Sequence, residues 1–550
     1  MMNESLALYG LGGGALLYAM QRTKTRLELS LAKHRSLAGH PRMARRIAGL
    51  MPNYSYDEIE AFSLDGAPTE VIDRRRMALT MLGHNFKSRY PLSIAQSLEA
   101  ESGISDMQFV SAYRVPFQFR ELVRTQLKIA SFVRSTSGVT VTDLDGNVFY
   151  DLTGSYGVNL LGNDFYKDCI AKGAELVQDL GPVLGAYHPV VADNVNRLKE
   201  ISGMDEMSFH MSGTEAVMQA VRLARYHTGK TKLVRFCGSY HGWWGDVQPG
   251  IGNPATERDT YTLSDMSPAA LRVLRKRKDI ACVLVNPLQA LHPNGAAPGD
   301  SSLLDSSRKA NFSREAYTAW LKALRAVCDE KNIALIFDEV FVGFRLAAGG
   351  AQAYFGVKAD MVTYGKTLGG GLPVGVVCGK TQWMKRFREN APADICFARG
   401  TFNSHPYVMG AMNVFLKHIQ SEQGQALYTH LDETWDARAS KLNAQLVQLD
   451  LPVQVANMSS IWTVLYTRPS CYNWLFQHYL RLEGLALSWV GTGRMIFSLN
   501  YTEQDFEAVA ERFVRAAQAM QKDGWWLNNP GLSNKGIKRR ILGEMLSHRF

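Results

Sequence analysis

Five short apolar runs punctuate the middle of this chain: Leu233–Phe236, Ala281–Val285, Ile333–Phe337, Met361–Tyr364 and Val374–Cys378. They are too short for helices, and as a set they are rich in Val and Ile, the signature of fully buried strands. Helical stretches lie between several of them: Thr214–Thr228, a stretch opening at Ser267-Pro268, and Arg314–Glu330. The Ser-Pro pair is a cap followed by proline at the first helical position. Buried strands alternating with helices predict an α/β fold, a mainly parallel sheet with helices on both faces. Ligands in such folds sit beyond the carboxyl ends of the strands. From about residue 445 the pattern becomes α+β, with strands near 453–467 and 494–499 and a helix from Thr502 to about Gln521. That reads as a smaller second lobe.

Charge has to be located before it says anything. The 550 residues carry a net +10. Residues 1–50 hold eight Lys/Arg against two Glu, and residues 531–550 hold five against one, so the 480 residues between them are neutral. A nucleic-acid-binding domain carries its excess on the folded body, and nucleic acid is therefore not an expected partner. The seven cysteines are scattered and never form a C-x-x-C pair, which predicts neither a disulfide framework nor a metal site and fits a reducing, cytoplasmic setting. With 46% hydrophobic and 20% charged residues, the chain is neither wholly disordered nor a multi-span membrane protein.

The ends are less telling. Ser5–Gln21 is free of charge and is followed by Arg22, Lys24 and Arg26. As a helix, the apolar segment 6–20 reaches only about 22 Å, short of the ~30 Å hydrocarbon core, and Gly10, Gly12, Gly13 and Gly14 weaken a helix there. Contact with a membrane surface and a frayed or partner-packed segment both remain open. Gly10-x-Gly12-x-x-Ala15 is a permissive dinucleotide fingerprint with no strand before it. Residues 41–51 place Met43, Ile47 and Leu50 opposite Arg42, Arg45 and Arg46, a short amphipathic helix or simply a solvated basic face. The sequence after Asn529-Pro530-Gly531 ends in a second basic helix. The expected organisation is an N-terminal extension (1–110), a large region (111–435), a small C-terminal domain (436–525) and a basic tail (526–550).

Four segments carry chemistry. Ser212-Gly213-Thr214-Glu215 is a capping box opening a helix, with free N–H groups and a positive dipole end suited to a phosphate. Gly238-Ser239-Tyr240-His241-Gly242 follows the strand at 233–236, where an aromatic can lie flat on a planar ring. Asp338 ends an entirely apolar strand, so its carboxylate needs a cationic partner, either a protonated ring nitrogen or an arginine. Lys366 follows the strand at 361–364 and precedes Gly369, Gly370 and Gly371; a lysine so placed can lose its proton and act as a nucleophile. Phosphate site, stacking aromatic, acid for a pyridine nitrogen and Schiff-base lysine together are what pyridoxal 5′-phosphate requires.

The segments MSGTEAVMQAVRLAR (211–225), IFDEVFVGFR (336–345), YGKTLGGGLPVG (364–375) and RGTFNSHP (399–406) resemble the class III (omega-type) aminotransferases, and within them the glutamate-1-semialdehyde 2,1-aminomutase branch. The resemblance spans roughly residues 110–525. It implies a fold-type I transferase with a seven-stranded-type sheet, acting as a homodimer. It also implies Lys366 as the Schiff-base lysine, Asp338 at the pyridinium nitrogen, Val340 under the ring and Tyr240 over it, with His241 beside it. Ser212, Gly213 and Thr214 would hold the phosphate, Thr401 would reach the phosphate of the neighbouring subunit, and Gln289 would approach the ring hydroxyl.

The match departs from the family in three places. Arg114-Val115-Pro116-Phe117-Gln118 stands for N-S-P-V-R, putting Gln118 about where an arginine serves the substrate carboxylate, with Arg114 or Arg120 as the cation that could take its place. Asn286-Pro287-Leu288-Gln289-Ala290 stands for E-P-x-x-G, and Leu161-Gly162-Asn163-Asp164 for G-H-x-H-P. These changes alter the substrate pocket and leave the cofactor groups. The expected activity is therefore amino transfer from a small-molecule amine donor to a carbonyl acceptor, an aldehyde or ketone that is hydrophobic or carrier-tethered. The competing readings are an intramolecular aminomutase and a non-catalytic, membrane-associated partner on the same scaffold, with the N-terminal extension touching a membrane surface or carrier protein.

Overall fold

Seven strands form the central sheet of the computed structural model, which describes residues 2–34, 40–113, 115–128, 132–248, 252, 259–292, 294, 306–310, 312–487 and 493–549, without side chains for 2–16 and 110–113. In chain order they are β1 (Glu206–His210), β2 (Lys232–Phe236), β3 (Thr260–Leu263), β4 (Ile280–Val285), β5 (Ala334–Asp338), β6 (Met361–Gly365) and β7 (Gly375–Gly379). The spatial order is β1-β7-β6-β5-β4-β2-β3. Every pairing is parallel except those of β7, which runs antiparallel to both β1 and β6. The expected mainly parallel sheet is thus present, with one reversed strand inside it.

Successive residues of the buried strands divide between two cores, as the period of two requires. Leu233, Cys282, Leu284, Ala334 and Ile336 face one helical layer, while Val234, Val283, Val285, Leu335 and Phe337 face the other.

Of the helices used below, α1 spans Met2–Leu31, α2 Pro41–Ala48, α3 Gly213–Thr228 and α4 Asn534–Ser547. The glycines of the apolar segment do not interrupt α1. Its far end docks on the large lobe: Ala32 is fully buried, its carbonyl accepts from Ser264 N at 2.7 Å, and Glu28 pairs with Lys276. Among the described residues no helix is long and apolar enough to cross a membrane.

A separate core joins residues far apart in sequence. Phe62, Phe86 and Phe119 pack with Trp435, Trp474 and Trp525. Within it Arg75 is fully buried; it pairs with Asp65 at 2.6 Å, donates to the carbonyls of Phe62 and Gly524, and lies 4.5 Å over the Tyr472 ring. The α+β lobe holds the hairpin Val453–Met458/Ile461–Tyr466, extended by Arg494–Ile496, and the helix Glu503–Lys522 with a capping box from Thr502 and Asp505. Arg345 ties this lobe to the large one, donating to Phe497 O (2.7 Å), Ser460 Oγ (3.1 Å) and Asn159 O (3.0 Å).

Candidate active site at the carboxyl edge of the sheet

Asp338 is the last residue of β5 and Lys366 the first after β6, its parallel neighbour. The two therefore emerge at the same sheet edge. The reversed strand β7 begins there too, Gly375 pairing across to both His210 and Gly365. Ser212 leaves β1 at this edge and caps α3, its Oγ accepting from Glu215 N at 3.2 Å. The reciprocal bond differs from the expected box: the Glu215 carboxylate accepts from Met211 N (2.9 Å) instead of from the cap residue itself.

The phosphate-type cradle is closed by glycines. A Cβ at Gly375 would lie 1.9 Å from Ser212 O, one at Gly213 would lie 2.6 Å from Val340 Cγ1, and one at Gly242 would lie 2.4 Å from Thr214 Oγ1. Only glycines allow these backbones to approach so closely. Ser212, Gly213, Thr214, Val340 and the Tyr240–Gly242 loop are thereby gathered around the start of α3, where the N–H groups of Gly213 and Thr214 precede the first intrahelical bond and point toward an anion.

Asp338 is 3% exposed and His241 1%. His241 Nδ1 meets Asp338 Oδ2 at 2.7 Å, while Asp338 Oδ1 accepts from Val340 N (3.2 Å) and Thr363 Oγ1 (3.3 Å). Burial holds the His241 imidazole below its ordinary range, outweighing the pull of Asp338. Its Nε2 is buried without a hydrogen-bond partner among the described residues, and so is Oε1 of Gln289, whose amide donates to Cys237 O at 2.7 Å. Burial also depresses the Lys366 ammonium, opposed by the nearby Asp338 charge. Lys366 itself adopts φ 48°.

Tyr240 is 56% exposed, with its backbone carbonyl held by Asn286 Nδ2 at 2.9 Å. Asn286 thus anchors the aromatic loop where the family carries an acid. Thr401 is exposed on the turn 401–404. Gln118 is buried beneath the N-terminal extension, its amide donating to Tyr54 OH at 3.2 Å; Arg114 lies outside the described residues.

Two residues not singled out in the sequence complete the site. The Phe341 ring centroid is 5.6 Å from Lys366 Nζ. Gly157, at φ 97°, lies against both, a Cβ there falling 2.8 Å from Phe341 Cε2 and 3.3 Å from Lys366 Cδ. Phe341 was within sight, three residues beyond Asp338. Nothing local marks Gly157.

The donor set suits pyridoxal phosphate: an anion cradle lined by glycines, a buried acid backed by an imidazole, unpartnered buried polar atoms, and a desolvated amine beside them.

The sequence profile described as Aminotransferase class-III matches residues 123–247 and 313–517. Over 419 residues the chain is 30% identical to a glutamate-1-semialdehyde 2,1-aminomutase of Geotalea daltonii, covering 70% of this chain and 91% of that one. It is similar to a solved transaminase with bound PLP (25% identity, TM-score 0.59, covering 72% and 92% of the two chains). A glutamate-1-semialdehyde aminomutase from Pseudomonas aeruginosa PAO1 shares the fold (18% identity, TM-score 0.64, 82% and 99%).

Proposed function

The chain belongs to the class III aminotransferase family, and from that premise we propose that it moves an amino group from a small-molecule amine to an aldehyde or ketone, using pyridoxal 5′-phosphate held at Lys366. The observation that carries this reading is the desolvated Lys366 amine beside the buried Asp338 carboxylate on adjacent parallel strands. Pyridoxal phosphate supplies an aldehyde that captures amines and a ring that withdraws electrons.

The chain's own groups do the rest. Asp338, oriented by His241, Val340 N and Thr363, would keep a ring nitrogen protonated. Ser212, Gly213 and Thr214 would anchor the phosphate, Val340 and Tyr240 would bracket the ring, and Gln289 would approach its hydroxyl. Lys366, once its amine is free, would carry a proton between the amine-bearing carbon of the substrate and the cofactor carbon that takes up the amino group. Phe341 and Gly157 exclude water on the lysine side. Borohydride trapping followed by peptide mapping tests the assignment: the label belongs on Lys366, and a label elsewhere or none overturns it.

A second reading is intramolecular transfer, favoured by likeness to the Geotalea daltonii aminomutase. Against it, the neutral Gln118 is committed to Tyr54 and offers no cation for a substrate carboxylate. Turnover without an external donor separates mutase from transferase.

The active form is a homodimer in this reading, with Thr401 completing the neighbouring phosphate site. Exposed Tyr187, Trp243, Phe397 and Phe402 support a partner surface. The extension's segment 6–20 belongs to the same proposal as a contact for a membrane surface or a carrier protein. Deleting residues 1–26 tests it, and unchanged fractionation rejects it.

A further inference from the structure

The two basic ends of the chain, 480 residues apart in sequence, meet in space. Arg549 donates to Leu50 O at 2.8 Å, and the Tyr54 ring stacks on His548 at 4.5 Å with 11° between planes. Tyr54 OH and Tyr56 OH both donate to Glu544 Oε2, at 3.0 and 2.7 Å, and Arg540 pairs with the same carboxylate at 3.1 Å. The only acid of α4 is thus turned inward and consumed.

What α4 turns outward is Lys535, Arg539, Leu542 and Leu546, spaced four, three and four residues apart and so on one helical face, all exposed. The neighbouring α2 buries none of its residues. Its Met43 (56% exposed) and Ile47 lie in line with Leu50 (52%), with the exposed Arg42 and Arg46 roughly a quarter-turn round the helix from them. No acidic residue occurs between Glu28 and Asp57, nor between Asp523 and Glu544.

We infer that α2 and α4 together form a docking surface for an anionic lipid bilayer, lying in the plane of the headgroups. Of the chain's net +10, α2 contributes +3 and α4 a further +3 (four cations against Glu544), which gives complementarity to anionic lipid. Exposed aliphatic side chains interleaved with arginine and lysine are the pattern of an interfacial helix, whose apolar face enters the acyl boundary. A polyanion such as RNA would recruit the cations and leave Met43, Ile47, Leu50, Leu542 and Leu546 facing water. The inference is independent of the amino-transfer reading and of segment 6–20.

The test is co-sedimentation of the full chain with phosphatidylcholine vesicles, with and without phosphatidylserine. Binding is expected only with phosphatidylserine. It should weaken about fivefold per cation replaced in Arg42→Gln/Arg46→Gln and, separately, in Lys535→Gln/Arg539→Gln. Leu542→Ser/Leu546→Ser should weaken it too, while Arg42→Lys/Arg46→Lys retains it. All replaced residues are exposed, so unchanged circular dichroism and melting certify folding. Equal binding to both vesicle types, insensitivity to either helix, or loss of binding only when residues 1–26 are deleted overturns the inference. So does tighter binding to an RNA oligonucleotide, or a change of oligomeric state in the leucine variant without loss of lipid binding.

Discussion

His241 Nδ1 stands 2.7 Å from Asp338 Oδ2 with both side chains buried, so the acid at the end of β5 is held from behind by a ring whose protonation burial disfavours. The imidazole N–H at Oδ2 fixes the carboxylate's orientation toward a cation in front of it. Asp338→Asn keeps the shape and removes the negative charge, and we expect turnover to fall about a hundredfold or more with little change in melting temperature. His241→Asn, which removes only the support, should lower turnover by about tenfold. Steady-state kinetics on the two variants checks the order. Equal, small effects would mean that Asp338 serves packing alone.

Lys366→Met should abolish both the visible absorption band of the bound cofactor and turnover. The same variant carries a linkage prediction for the cofactor-free protein. The folded Lys366 ammonium is depressed below the ordinary 10.5, so around neutral pH the unfolded chain holds this proton more tightly than the folded one. The penalty of burying the charge is present there and vanishes as pH rises toward the unfolded value. Cofactor-free Lys366→Met should therefore melt higher than the parent near pH 7, with the gap closing toward pH 10. A gap independent of pH would refute the desolvation of this amine.

The strands legible in the sequence were those buried on both faces. The five apolar runs all became strands of the central sheet, whereas β1 (EMSFH) and β3 (TYTL) went unread because they are its two edges, where less apolar surface is needed and the pattern fades. Asp338 and Lys366 were legible because an ionisable residue closing an apolar strand is costly without a purpose. Gly157 was not, since its role arises from contact with Phe341 and Lys366 across more than 180 residues of chain. The union of residues 54–127 with the C-terminal lobe was hidden for the same reason: Arg75 reads as one more helix cation until Asp65 and Gly524 surround it.

Gly375→Ala tests the cradle without touching a polar side chain. The new Cβ would fall 1.9 Å from Ser212 O, inside any van der Waals contact and against backbone, so β7 and the start of α3 must separate. Overpacking of this kind costs roughly 1–3 kcal/mol, and the displaced N–H groups should weaken cofactor binding by at least about tenfold. Gly245→Ala, where a Cβ meets nothing within 4 Å, is the matched control. Absorbance titration with pyridoxal phosphate reads both. Parent-like affinity in Gly375→Ala would remove the cradle from the binding site.

His478 offers a stability prediction remote from the chemistry. It is 4% exposed, packs against Trp474 and Phe86 at centroid distances of 6.0 and 6.1 Å, and has no hydrogen-bond partner on either ring nitrogen among the described residues. Burial, helped by Arg481, pushes its pKa from 6.5 down to about 3. Between those values the unfolded chain takes up a proton that the folded one refuses, so stability is complete above pH 6.5 and falls as the solution is acidified. For a fully separated pair of pKa values the slope approaches about 1.4 kcal/mol per pH unit. His478→Phe removes the titration and suits the aromatic surroundings, so its denaturation midpoint should match the parent at pH 7.5 and exceed it increasingly toward pH 4.5. Other buried groups titrate equally in both proteins and cancel in the difference. Parallel pH profiles would show that His478 gains its proton in the folded state, through a water or a rotation that brings it to solvent.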